Sequence, residues 1–596
     1  MATYDLAIRG GTVVTAADVT RCDIGIKDGR IAVLAGAVTD ADKVVDASGL
    51  LVMPGGIDSH VHLAQKAYGA QMADGFESGS RSAVAGGNTT IIPFAIQPKG
   101  ASLRESVKAY HKEADGQCLV DYGFHLIVTD PSPTVLGQEL PSLVADGYSS
   151  FKVFMTYDDM VLNDRELLEV FDCARREKAL VMVHCEGYDA IRFMTERLEA
   201  AGKTAPYYHA VSRPQIVERE AAHRAISHSE LIDVPIMIVH VSGREAMEQI
   251  RWAQQRGLKV YGETCTQYIS LTADDLKGLN MDESGGKYVC SPPPRTRADW
   301  DAIWEGIQTG VFQTFSSDHC PYFYEGDVGK LNARARTSFK WVPNGIPGVE
   351  VRMPILFSEG VTKGRITLEQ FVALTSTNHA KMYGLYPKKG SLAIGADADI
   401  VLWDPNRKVT ISQSLMHHGS DYTPWEGFEV TPEGVVYGGD ELRPGTGEAC
   451  VDGGAIFKFI PATLHTGAAI TSLEQSPLVA GKTYALQVQC HGSSIQYGQG
   501  CEIGKGAWIE VDPANARTDA NLKGATGYYR PEDLHGDPSY RGPGVRFCGA
   551  NTGNEAAENY AEVICTTDLA PTEAPQADAE GKLVFSVATN RFVEGD

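Results

Sequence analysis

The chain has 596 residues, 43% hydrophobic and 22% charged, with 76 acidic side chains against 53 basic ones for a net charge of −23. That length exceeds one ordinary domain of roughly 100–200 residues, and the mixed composition is that of a folding globular protein rather than a disordered one. The acidic balance argues against a nucleic-acid or anionic-membrane partner. With no basic start leading into an apolar stretch, and no run near the ~18 apolar residues of a membrane span, a soluble cytoplasmic protein is expected.

The first segment, residues 1–54, contains "YDLAIRGGTVVTAADVTRCDIGIKDGRIAVLAG", in which apolar and polar residues alternate between Gly/Asp turns, the pattern of β-hairpins. From 55 to 388 short apolar runs alternate with helical stretches such as "NDRELLEVFDCARREK" and "GREAMEQIRWAQQRG". The runs are "LVMPGGIDSHVHL", "TTIIPFA", "VDYGFHLIVT", "SSFKVFMT", "ALVMVHCE", "VPIMIVHVS", "KVYGETCT" and "FQTFSSDH". Eight strands alternating with helices predict an α/β fold, a parallel (β/α)8 TIM barrel; a doubly wound sheet is the alternative. Around 390 the β pattern returns with "GSLAIGADADIVLWDP", "VVYGGDELR" and "GGAIFKFI", so 389–460 is expected to pair with 1–54 in a composite β-sandwich. Residues 461–596, rich in Gly, Pro, Asn and Asp with short strand runs, are expected to form a further C-terminal β-rich extension. The twelve cysteines show no paired CxxC spacing and read as ordinary thiols, with the state of Cys490, Cys501, Cys548 and Cys565 left open.

The polar intruders in the apolar runs fall where a TIM barrel keeps its chemistry, at the C-terminal ends of the strands. His60 and His62 end the first run, His184 the fifth, His240 the sixth and Asp318 the eighth, while Lys152 interrupts the fourth. The i, i+2 spacing of His60 and His62 puts both rings on one face of a strand. Singly, each has a bland reading: an incidental HxH, a structural histidine, a capping aspartate. Together on one barrel edge they point to a metal centre. Lysine is almost never buried without a partner, and an unpaired ammonium in an apolar interior sheds its proton. A neutral buried amine can add carbon dioxide to give a carbamate, an anion whose two oxygens bridge two divalent ions. The expected ligands are then His60, His62, carboxylated Lys152 and Asp318 on one ion, and Lys152, His184 and His240 on the other. Nitrogen and oxygen donors without thiolate suit zinc first, with cobalt, nickel or manganese as alternatives.

The motifs "MPGGIDSHVHL", "FKVFMTY", "SRPQIVEREAAHRAI", "VHVSGREA", "GETCTQY", "SPPPR", "SSDHCP", "PNGIPGVE" and "GSLAIGADADIVLWDP" resemble, in order and over roughly residues 4–460, the dihydropyrimidinase/D-hydantoinase branch of the amidohydrolase superfamily. The resemblance implies a binuclear centre on the same six residues. It also implies a Tyr157 hydroxyl on the substrate carbonyl, main-chain groups at Ser291 and Asn344 on the cyclic amide, and assembly into a tetramer or dimer. The bland readings of these three are a packed aromatic, a stiff loop and a turn.

The implied reaction opens dihydropyrimidine or hydantoin-type rings to N-carbamoyl amino acids. Hydroxide bridging the two metals attacks the ring carbonyl, Tyr157 helps stabilise the oxyanion, and Asp318 moves the proton to the leaving nitrogen. Among neighbouring branches, dihydroorotases carry an arginine soon after the HxH pair. Here Ala64 and Gln65 stand in that place, and Lys66 lacks the bidentate fork. Allantoinase and cyclic-imide hydrolase remain as alternatives, and the non-catalytic dihydropyrimidinase-like scaffolds of neurons are disfavoured because all six ligand candidates are present. The chain departs from the usual pattern in "HCEG" (184–187), in Pro93 and in the loop "AQKAYGAQMADGFESG", a region that shapes the substrate pocket in this branch.

Overall fold

The computed structural model describes residues 2–67, 70–407 and 409–430, followed by eight strands between 436 and 592. They fall into two compact units, one of residues 1–407 with 411–426 and one of 408–410 with 427–596.

The first unit is built on a nearly closed barrel of eight parallel strands: β1 (Gly56–Val61), β2 (Asn88–Ile96), β3 (His125–Ile127), β4 (Ser150–Phe154), β5 (Leu180–His184), β6 (Ile236–Ile238), β7 (Val260–Cys265) and β8 (Thr314–Ser316). Each pairs in parallel with the next. Closure is made by a single parallel bridge from Val61 to His319, with the His62 amide donating to the His319 carbonyl at 2.7 Å. Strands buried on both faces read as continuous apolar runs, and Val181, Met182, Val183, Ile236, Met237 and Ile238 are all buried. The helices between them follow their own periodicity. In Asp164–Glu177 the buried residues are Leu167, Val170, Phe171, Cys173 and Ala174, and the Asn163 and Glu166 side chains close a capping box at its start. Pro93 sits in β2 where the register with β1 shifts, a place that tolerates a missing ladder donor.

The run expected as one strand at 51–63 is two. Leu51–Pro54 pairs antiparallel with Ile400–Trp403 and parallel with Thr12–Val14, outside the barrel, and β1 begins after Gly55. A side chain at Gly55 would collide with that of Thr89, so the chain turns into the barrel at a residue without one. Leu51–Pro54 thus belongs to one of two four-stranded flanking sheets; the other holds Arg30–Ala35, Asp23–Lys27, Tyr4–Arg9 and Ala41–Asp46. Ile8, Val13, Ile24, Ile31, Val52 and Leu392 form their shared core.

In the second unit, eight strands form one antiparallel sheet in the order 436–440, 455–461, 481–487, 504–511, 587–592, 562–568, 545–551 and 531–536. The boundary expected at 460 falls inside this sheet. Residues 455–461 pair with 481–487, and 436–440 pair with 455–461, so both strand runs before 460 join the C-terminal sheet. Cys548 and Cys565 are backbone register partners in this sheet, whereas Cys490 and Cys501 lie outside the described residues.

Candidate metal and active site

At the C-terminal mouth of the barrel the candidate ligands converge. His60 closes β1 with its ring buried, and His62 follows on the same face. Donor atoms of His60, His62 and Asp318 lie within 4.8 Å of one another. Asp318 Oδ1 is 3.2 Å from His60 Nε2 and 3.5 Å from His62 Nε2. Lys152, buried in β4, brings Nζ to 3.4 Å from His60 Nε2. Its ammonium position is bounded by the rings of Phe94 and Phe154 at 5.0 and 5.3 Å. Burial lowers its pKa to about 8, against the pull of Glu263 and Asp318, so a neutral amine is accessible near neutrality. The His184 and His240 rings stand 4.4 Å apart, and His240 is 5.3 Å from His60. Burial pushes the Asp318 carboxyl up, but His60 and His62 together hold it below its ordinary range.

Buried acceptors fix three of the four imidazoles. His60 Nδ1 donates to Glu263 Oε1 at 2.6 Å, and Glu263 is held in turn by the Ser316 hydroxyl at 2.7 Å and the His240 amide at 3.2 Å. His62 Nδ1 donates to Gln65 Oε1 at 3.1 Å; the Gln65 amide nitrogen donates to the Phe94 carbonyl, so its oxygen must be the acceptor. His184 Nε2 donates to Glu186 Oε2 at 2.7 Å, and the Arg213 guanidinium donates to the same oxygen at 2.8 Å. Burial opposes the Glu186 charge, but Arg213 and His184 outweigh it and bring its pKa to about 2. An acceptor on one ring nitrogen sets the tautomer and leaves the other nitrogen's lone pair for a metal. His240 differs: its Nδ1 is buried with no hydrogen-bond partner among the described residues. In the sequence Gln65 stands out only as filling the place of a dihydroorotase arginine and Glu186 only within the departing "HCEG", and Glu263 not at all, although an acid inside the apolar run "KVYGETCT" is the same kind of signal as Lys152.

Backbone strain gathers here as well. Among non-glycine residues, Tyr157, His240, Asp318 and Ala64 have φ of 73°, 41°, 49° and 57°, a left-handed region that side chains disfavour and that clusters at functional sites.

The six ligand candidates and Tyr157, Ser291 and Asn344 all line one cavity of about 400 Å³. The Tyr157 ring is 5.3 Å from His184. Ser291 is buried, its hydroxyl 3.1 Å from His209 Nε2. The loop after β1 forms a short hairpin, Lys66–Ala67 against Ala70–Gln71. It is tied down by the Met72–Tyr322 bridge and by Asp74, which accepts from His319 at 3.1 Å. Among the described residues no helix is long and apolar enough to cross a membrane.

Comparison with known proteins matches residues 51–442 to the amidohydrolase family. The D-hydantoinase of Rhizobium radiobacter is 45% identical over 427 residues, 72% of this chain and 92% of the relative. Among solved structures, the dihydropyrimidinase from Brevibacillus agri NCHU1002 superposes with a TM-score of 0.69 at 42% identity, covering 71% of this chain and 91% of that one. The L-hydantoinase (dihydropyrimidinase) from Arthrobacter aurescens gives 0.65 at 29% identity, covering 72% and 93%.

Proposed function

The chain belongs to the amidohydrolase family, in its dihydropyrimidinase/D-hydantoinase branch, and from that premise we propose that it opens dihydropyrimidine or hydantoin-type rings to N-carbamoyl amino acids with two divalent metals. It is a hydrolase of cyclic amide C–N bonds. The observation that carries the finer reading is the convergence of a buried lysine, with no carboxylate bonded to it among the described residues, on oriented imidazoles and one aspartate.

The residues present fit a binuclear centre. The donors are imidazole, carboxylate and amine without thiolate, and His240 Nδ1 is a buried polar atom with no hydrogen-bond partner among the described residues. In this reading His60, His62, Lys152 as N6-carboxylysine and Asp318 would hold one ion, and Lys152, His184 and His240 the other, with zinc the metal that suits the set. When bound, such ions supply an acidified water and a Lewis acid.

The protein's own groups do the rest. Glu263, Gln65 and Glu186 hold the imidazoles in the required tautomers. Main-chain groups at Ser291 and Asn344 bind the ring amide. The Tyr157 hydroxyl donates to the carbonyl oxygen as it gains charge. Asp318 accepts a proton from the attacking water at its carboxylate and returns it to the leaving nitrogen. The cavity walls orient the ring and exclude competing water.

The same reading takes 1–54 with 389 to about 426 as one composite sandwich around a 55–388 barrel, supported by the pairing of Leu51–Pro54 with Ile400–Trp403. It starts the β-rich extension near 427, supported by the sheet shared across 460. It takes the protein as a cytoplasmic homo-oligomer, tetramer or dimer, whose partner is a small cyclic amide. The test is ring opening by purified, metal-reconstituted protein. Dihydrouracil, hydantoin, 5-phenylhydantoin, allantoin and a simple cyclic imide are followed by loss of ultraviolet absorbance. Opening of a dihydropyrimidine or hydantoin that vanishes in Lys152→Ala is expected; opening of allantoin or the imide alone would reassign the ring.

A further inference from the structure

A second lysine is buried near the cavity, and the chemistry above does not use it. Lys330 has no exposed surface. No carboxylate is bonded to it among the described residues; its Nζ donates to the Val289 carbonyl at 2.7 Å, and its near neighbours are the thiols of Cys290 and Cys320. Burial lowers its pKa to about 7. A lysine kept in such surroundings costs stability, so its retention calls for a return elsewhere.

The Val289 carbonyl is a junction. It accepts from Lys330 and also from the Gly345 amide at 3.0 Å, using both lone pairs. Val289 lies two residues before Ser291, and Gly345 directly follows Asn344; Ser291, Asn344 and Gly345 all line the cavity. Gly345, at φ 144°, is pressed so closely on Cys320 that any side chain there would collide with it. Lys330 itself is carried on the segment after Tyr322, its amide donating to the Phe323 carbonyl at 2.8 Å. One carbonyl therefore joins three separate segments, two of which contribute residues to the cavity lining.

We propose that Lys330 is a positioning residue for substrate: by clamping the Val289 carbonyl it holds the Ser291 and Asn344–Gly345 segments at the spacing that the cyclic amide needs. The inference rests on the reading of those two segments as the amide-binding wall. A compact amine at the end of a long stem suits a single buried carbonyl, where the broad arginine fork would not fit.

The test compares full-length, metal-loaded wild type with Lys330→Met, which fills the space without a donor, using dihydrouracil and hydantoin as substrates. KM should rise about tenfold with kcat within about threefold, the signature of lost binding common to ground and transition states. Metal content should be unchanged and Tm equal or higher, a combination that a merely structural lysine would not produce. Should Lys330→Met not fold, Lys330→Gln, whose amide falls short of the carbonyl, carries the same comparison. A folded variant with wild-type KM overturns the positioning role while the ring-opening function stands. A wild type that opens neither ring removes the amide-binding wall and the proposal with it.

Discussion

Of the groups proposed to act in the cavity, some are side chains mounted on β-strands; others are borne by loops, the Tyr157 hydroxyl and main-chain groups at Ser291 and Asn344. His60, Lys152 and His184 belong to β1, β4 and β5, and each is braced by parallel neighbours. Ser291 and Asn344 belong to connections outside the strands, joined to each other's segments through hydrogen bonds at the Val289 carbonyl. The difference teaches a division of labour. Ladder-fixed side chains suit ions that demand exact ligand geometry, and backbone donors and acceptors suit a planar amide, whose own groups are of the same kind.

The largest expected effect lies on the strand side. Lys152→Ala removes the one group shared by both proposed ions, so ring opening should fall by at least about 10³-fold and metal content should drop below two per chain by elemental analysis. Full activity with two metals bound would break the contrast at once, since the centre would not need the lysine. Tyr157→Phe probes the loop side. Loss of a single oxyanion donor should lower kcat by about 10²–10³-fold with metal content unchanged, and a parallel loss of metal would show that the two sides are not separable. Glu263→Gln probes the bracing of the strand side. It keeps the shape but weakens the acceptor for His60, so metal affinity should fall by about 10–100-fold in a chelator competition. KM at saturating metal should hold; a KM change without an affinity change would place Glu263 in substrate binding instead.

The two sides were unequally legible in the sequence. The strand side announces itself through period-2 spacing and through charged or polar residues interrupting apolar runs, which is how His60, His62, Lys152, His184, His240 and Asp318 were found. The residues that orient them were not found, because a partner such as Glu263 for His60 is chosen by adjacency across a barrel, 203 positions away in the chain. Tyr157, Ser291 and Asn344 came only from the family resemblance, since a loop carries no periodic signal. Lys330 fell in "EGDVGKLNARAR", a polar stretch with the composition of a surface loop, yet it is fully buried. In the extension the strands at 481–487, 504–511 and 562–568 are legible as apolar runs, whereas 531–536 ("PEDLHG") and 545–551 ("VRFCGAN") are too polar or Gly-broken to stand out; the grouping is not legible either, since "GGAIFKFI" fits either neighbouring sheet by pattern and only the pairing of 455–461 with 481–487 decides it.

The smallest predicted effect concerns stability and returns to Lys330. Its ordinary pKa of 10.5 falls to about 7 in the folded chain, so between those values the unfolded state binds a proton that the folded state does not. Stability then rises with pH across that window, and the penalty from this group is full below about pH 7 and fades as pH approaches 10.5. The groups facing it, Cys290 and Cys320, are thiols that burial keeps protonated over the window and so do not offset the change. Lys330→Met removes the penalty. Its Tm relative to wild type should therefore be most favourable at pH 6–7 and should lose ground steadily toward pH 10, read by thermal melts across that series. A difference that stays flat with pH would mean that the buried amine is charged and solvated in the folded protein. The Val289 clamp would then be an ammonium bond across the whole pH series.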